Sequence, residues 1–193
     1  MTSPEDLDGI LAFLRTAERL KSVTRTGWTT EGERESVAAH TWRLCLMAIT
    51  LADRFPGIDL ARLLKICIIH DLGEALHGDI PAPEQAVNGA KAAAEREDLL
   101  EVLAPLPLRL RQEFAGLWDE YEAAGSPEAQ LAKGLDKLET ILQHTQGQNP
   151  ADFDYHFNLT YGRQYTAGHP VLVALRELLD RATEERAGGV RRR

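Results

Sequence analysis

The chain has 193 residues, a formal charge of −8, 44% hydrophobic and 27% charged residues, which is enough apolar content to fill one core. The acidic balance speaks against a nucleic-acid polymer as partner, because wrapping one needs a basic stripe that replaces counterions. It leaves room for a small phosphorylated substrate, whose charge a metal and one or two cations can neutralise.

No apolar run approaches the roughly 20 residues of a membrane span, and the acidic start Met1–Asp6 lacks a signal-peptide apolar region. Cys45 and Cys67 form no CxxC pair and sit in apolar stretches, which reads as buried thiols in a reducing compartment. A soluble, cytoplasmic protein with no membrane partner is expected.

Strand signals are nearly absent, and helical periodicity dominates. Leu7, Ile10, Leu11, Leu14 and Ala17 follow a 3.6-residue stripe and predict a first amphipathic helix. Residues 21–34, polar and carrying Gly27 and Gly32, read as a loop. Ser36 suits the start of a second helix over about 36–55, apolar on most faces and therefore expected at the centre. Phe55-Pro56-Gly57 stops it. Asp59 then caps a third, equally apolar helix that runs into His70-Asp71, and Gly78-Asp79-Ile80-Pro81 ends that segment.

An alanine-rich helix is expected around 84–103, closed by Pro105 and Pro107, followed by another over Leu108–Ala123. Ser126-Pro127-Glu128 opens a helix with the stripe Leu131, Leu135, Leu138 and Leu142. A polar stretch leads to a final helix over about 170–186. Trp42 and Trp118 read as core or dimer packing. The whole predicts one all-α domain over 1–193, with six to eight helices around a metal site, its core spanning about 7–180 and a disordered tail at 187–193.

The metal site is read from four residues. His70-Asp71 ends the apolar run Leu63–Ile69, and two adjacent groups that are hard to bury need something to satisfy them. His40, in Glu35-Ser36-Val37-Ala38-Ala39-His40, and Asp136, at the border of its helix stripe, complete a His…His-Asp…Asp set. Two imidazoles and two carboxylates suit one divalent ion of Mn, Co, Fe, Ni or Zn and tolerate Mg, with open positions left for water. Glu74 stands four residues after His70, on the same face if the helix continues, and can carry a proton. Asp79 can supply a second proton carrier or hold the substrate. Arg25 offers a guanidinium to a phosphate, and Trp28 a flat partner for a base or sugar.

With His40, His70-Asp71 and Asp136 in this order on a helical chain, the sequence resembles the HD-domain metal-dependent phosphohydrolases. More narrowly, Arg25-Thr26-Gly27-Trp28, Glu35–His40, His70-Asp71-Leu72-Gly73-Glu74, Gly78-Asp79-Ile80 and Leu135-Asp136-Lys137-Leu138-Glu139 resemble the small 5'-deoxynucleotidases of the YfbR-like and HD-domain-containing group. Trp118 and Glu120-Tyr121-Glu122 also fit that group. The resemblance spans roughly residues 7–180. It implies a homodimeric enzyme that removes the 5'-phosphate from deoxyribonucleoside monophosphates. By motif match, His40, His70, Asp71 and Asp136 become metal ligands, Glu74 and Asp79 acid/base or water-orienting residues, and Arg25 a phosphate binder. In some relatives the arginine directly precedes the tryptophan; here Thr26-Gly27 separate them. Glu74-Ala75 lacks the Glu-Asp pair of the related alarmone hydrolases, which disfavours that activity.

Two other functions remain open at this point. One is hydrolysis of another nucleotide or phosphoester, such as a nucleoside triphosphate or cyclic nucleotide. The other is a non-catalytic module that keeps the metal set for sensing.

Overall fold

In the computed structural model, residues 3–79 and 88–190 are described. The regular structure of the described residues is helical apart from one small sheet, in agreement with the all-α expectation. Helix α1 (Pro4–Ala17) starts on a reciprocal cap: Ser3 Oγ accepts from the Asp6 amide while the Asp6 carboxylate accepts from the Ser3 amide. A strand β1 (Thr24–Trp28) and a strand β2 (Arg34–Ser36) then pair antiparallel, with an irregular register between Thr24↔Ser36 and Trp28↔Arg34. This hairpin corrects the loop expected over 21–34. Its strands are too short and polar to alternate visibly, and its support is tertiary: Gln143 donates to the Trp28 carbonyl and the Gln148 amide to that of Thr29.

Helix α2 (Val37–Leu51) is capped by Ser36 and passes into a 3₁₀ turn over Ala52–Arg54. It buries Val37, His40, Leu44 and Ala48 but leaves Trp42, Leu46 and Ile49 exposed at 66%, 45% and 51%. The expectation that α2 is central is therefore corrected, and of the two readings of Trp42, core or dimer packing, its exposure removes the first. Trp118, by contrast, is buried.

Helix α3 (Leu60–Ile69), capped by the Asp59 side chain, buries Leu63, Ile66, Cys67 and Ile69. It stops at Ile69, and a four-residue helix α4 (Glu74–His77) begins after a turn, so the continuous helix expected through Glu74 is broken. Gly73 lies in that turn because α5 (Asn88–Leu103) passes against it: a Cβ there would meet the Glu95 carbonyl oxygen at 2.7 Å. The predicted stop at Ile80-Pro81 and the first residues of the helix expected from 84 lie outside the described residues.

Helix α6 (Leu108–Ala123) agrees with its predicted bounds and ends on Ala124 in the left-handed region. The centre of the fold is α7 (Pro127–Gln146), which α2, α3, α6 and β1 all pack against. Leu135, Leu138 and Ile141 are fully buried there, and so, nearly, are Lys133, Asp136, Glu139, Thr140, Gln143 and His144. The stripe therefore fills one side of α7 while its polar side is enclosed as well. The polar stretch that follows holds a 3₁₀ turn (Tyr155–Leu159) and a short helix α8 (Arg163–Thr166). Helix α9 (Pro170–Val190) packs on α7 and runs past the expected end near 186. No described helix is long and apolar enough to cross a membrane.

Two glycines separate packing from helix propensity. At Gly134 on α7 an added Cβ would lie 2.8 Å from both Leu172 Cδ1 and the Tyr165 carbonyl oxygen, whereas at Gly116 on α6 it would meet nothing within 4 Å. Gly116→Ala should therefore stabilise the fold by about 0.5–1 kcal/mol. Gly134→Ala should destabilise it by about 1–3 kcal/mol despite the same gain in propensity. Urea unfolding of the two variants checks both signs.

Candidate active site

Three buried segments bring the predicted tetrad together. His40 sits in the first turns of α2 with no exposed surface, His70-Asp71 occupy the turn between α3 and α4, and Asp136 lies in the middle of α7. His70 Nε2 stands 3.0 Å from Asp71 Oδ2 and 3.9 Å from Asp136 Oδ1. His40 Nε2 stands 3.2 Å from Asp136 Oδ1 and 3.9 Å from Asp71 Oδ2. The break after Ile69 turns Asp71 towards the same point as His70, which two consecutive residues of an unbroken helix do not readily achieve.

Three of these groups are held from behind. His70 Nδ1 donates to the Cys67 carbonyl at 2.7 Å, and His40 Nδ1 meets Glu139 Oε2. Asp136 Oδ2 accepts from the Tyr121 hydroxyl and from Lys137 Nζ, both at 2.8 Å. What remains is a set of buried atoms facing one another with no hydrogen-bond partner: His40 Nε2, His70 Nε2 and Asp136 Oδ1. Leaving such atoms unsatisfied costs about 1–3 kcal/mol each, and a divalent cation between them removes that cost. The donor set of two imidazole nitrogens and two carboxylate oxygens fits one such ion.

The electrostatics favour ionised carboxylates at this point. Burial opposes ionisation of Asp71, but His70 and Arg25 hold its carboxyl well below the usual range. Burial likewise opposes ionisation of Asp136, and Lys137 and His40 outweigh it. Burial and Arg25 oppose protonation of His40, while Glu139 and Asp136 carry it up to about 9. Glu74 moves the other way: burial, then the charges of Asp71 and Asp79, push its carboxyl up to about 10. A carboxyl in that state is a proton donor at neutral pH.

A cavity of about 990 Å³ opens onto the tetrad, lined among others by His70, Asp71, Glu74, Asp79 and Asp136. Trp28 and Arg25 also line it. The Arg34 guanidinium lies over the Trp28 ring at 5.4 Å. Arg25, read from the sequence as a phosphate binder, donates from Nη1 to Asp71 Oδ2 at 2.8 Å and from Nη2 to Thr140 Oγ1 at 3.1 Å. The guanidinium therefore bridges the tetrad and the cavity.

Sequence reasoning gave no role to Tyr121, Lys137, Glu139 or Arg43, each of which supports a tetrad residue directly or through one neighbour. Arg43 donates from Nε to Glu139 Oε1 at 2.6 Å, and Glu35, pushed up to about 7 by burial and by Glu139, lies 3.9 Å from the same guanidinium. The available signal was position: Glu139 follows Asp136 by three residues and Arg43 follows His40 by three, so each pair shares a helix face. Lys133 and Lys137 lie one turn apart on α7 and line the cavity beside Tyr121, Tyr161 and Tyr165.

Residues 17–174 match the HD domain family. The 5'-deoxynucleotidase HDDC2 of Danio rerio is 34% identical over 191 residues, covering 95% of this chain and 93% of its own length. A protein of Magnetospirillum magnetotacticum, described as a predicted metal-dependent phosphohydrolase, superposes with a TM-score of 0.80 at 24% identity over 97% of this chain and 98% of its own. The cyanophage S-2L HD phosphohydrolase DatZ, bound to dA and one catalytic Zn²⁺ ion, superposes with a TM-score of 0.56 at 22% identity, covering 93% and 96%. On the match over residues 17–174 and the identity to HDDC2 along almost its whole length, the chain belongs to the HD-domain family, in the group of the HDDC2 5'-deoxynucleotidases.

Proposed function

We propose that this chain is a metal-dependent phosphomonoesterase that hydrolyses the 5'-phosphate of deoxyribonucleoside monophosphates, giving deoxynucleoside and phosphate. The observation that carries the reading is the convergence of unpartnered His40 Nε2, His70 Nε2 and Asp136 Oδ1 with Asp71 at the floor of a cavity large enough for a nucleotide. The activity for which the HDDC2 relatives are named supports this reading.

In this reading His40, His70, Asp71 and Asp136 hold one divalent cation, of Mn, Co, Fe, Ni, Zn or Mg. When bound, that ion supplies Lewis-acid stabilisation of the phosphoryl oxygens and lowers the pKa of water. Everything else falls to the side chains of this chain. Arg25 and Lys137 bring positive charge to the cavity wall next to the tetrad, where it offsets the anionic phosphate. Glu74, buried and protonated, delivers a proton to the departing 5'-oxygen, and Asp79 orients water or substrate from the cavity wall. Trp28 offers an aromatic wall to the sugar or base.

A homodimer belongs to the same proposal, supported by the apolar stripe Trp42, Leu46 and Ile49 that α2 leaves exposed. A cytoplasmic location is supported by two unpaired cysteines.

Phosphate release from the five common deoxynucleoside monophosphates and their ribo-counterparts, with several divalent cations, tests the activity. Turnover of the deoxy substrates that chelation abolishes and added metal restores is expected. Release of pyrophosphate or tripolyphosphate with no action on monophosphates overturns the proposal. Glu74→Gln should retain bound metal and lose about 10²–10⁴-fold in turnover, whereas His70→Ala should lose the metal itself. Metal analysis beside single-turnover rates separates the two outcomes, and wild-type rates in Glu74→Gln remove that residue from the chemistry.

A further inference from the structure

Behind the tetrad, α2 and α7 share a second cluster that contributes nothing to the cavity wall. His40 faces both: Nε2 looks to Asp136 and Asp71, Nδ1 to Glu139. Glu139 has no exposed surface, and each of its oxygens has one task. Oε2 meets the imidazole, and Oε1 accepts from Nε of Arg43 at 2.6 Å and forms an ion pair with Nη2 of the same guanidinium.

We propose that Glu139, anchored by Arg43, is the positioning residue of the metal centre: it fixes the His40 proton on Nδ1 and so presents Nε2 as a lone-pair donor. The inference rests on the metal reading given above and adds to it the residue that tunes one ligand.

Two observations argue for positioning rather than a simple clamp between helices. The ion pair with Arg43 already ties α7 to α2 through one oxygen, yet the other oxygen is spent on an imidazole whose far nitrogen has no partner. The two imidazoles are also unequally supported. His70 Nδ1 donates to a neutral carbonyl, whereas His40 Nδ1 donates to a carboxylate, which raises the basicity of Nε2 far more. His40 is accordingly the stronger nitrogen donor of the pair.

A rival assignment treats the second cluster as another metal site, because ligand atoms of Glu35, His40 and Glu139 lie within 4.8 Å of one another. The Arg43 guanidinium argues against it. It bonds Glu139 and stands 3.9 Å from Glu35, already supplying the positive charge that these carboxylates require. One cation per chain follows.

The test titrates chelator-stripped full-length protein with Co²⁺ alone, by calorimetry and by its visible spectrum. Wild type should bind one ion, and Glu139→Gln, which keeps shape and hydrogen-bonding capacity but loses charge, should bind about 10–100-fold more weakly with a shifted spectrum. Wild-type affinity and spectrum in Glu139→Gln overturn the proposal, as does a second ion per wild-type chain. A wild-type chain that takes up no Co²⁺ brings down the metal reading itself, so the two failures are distinct. Should the variant not fold, long-range ¹H–¹⁵N spectra of the wild-type zinc-loaded protein decide: a His40 ring protonated at Nδ1 is required, and a bare Nδ1 refutes the assignment.

Discussion

Two carboxylates and two imidazoles meet at one point in the interior, and much of the surrounding structure serves to make that tolerable. Unshielded, the charges would repel and the orphaned atoms would each cost as much as a lost hydrogen bond. The protein answers with outer partners of opposite sign or matching hydrogen-bond character: Arg25 for Asp71, Lys137 and Tyr121 for Asp136, Glu139 for His40, and a backbone carbonyl for His70. For Asp136, His40 and His70 these partners leave the facing atom alone, while Arg25 shares Asp71 Oδ2 with the two imidazoles. The result is a concentration of donor atoms that only a cation reconciles.

That requirement explains the unusual character of α7. A helix with Lys133, Asp136, Lys137, Glu139, Thr140, Gln143 and His144 would ordinarily lie at the surface, yet this one is enclosed by its neighbours. Its leucines fill the core, and its polar side finds partners in α2, α6 and the hairpin. Breaking one member of such a network leaves the others buried without compensation, which is why charges here are far more costly to remove singly than those on the exposed Arg62–Glu120 or Arg96–Asp119 pairs.

The sequence carried the tetrad and most helices because both depend on local pattern. His70-Asp71 at the end of an apolar run, and Asp136 at the edge of a leucine stripe, are visible without coordinates. The order of burial was not. α2 looks apolar all round but exposes Trp42, Leu46 and Ile49, because core membership is decided by which neighbours exist, which a single helix does not encode. The hairpin escaped notice since eight residues of strand held by α7 contribute little periodicity of their own. Glu139 and Arg43 were equally hidden: as charged residues on amphipathic helices they match a solvated face, and only the crossing of α2 and α7 gives them each other.

The donor atoms come from long helices and their junctions, whereas much of the cavity lining comes from the β1–β2 hairpin, Asp79 and the stretch between α7 and α9. Wall and floor are thus built by different kinds of structure. Loops accept substitution and changes in length at little cost to the core. Descendants of such a chain are free to change what they admit while the ion-clasping base stays as it is, so divergence in substrate choice should accumulate around the mouth long before it reaches the depths.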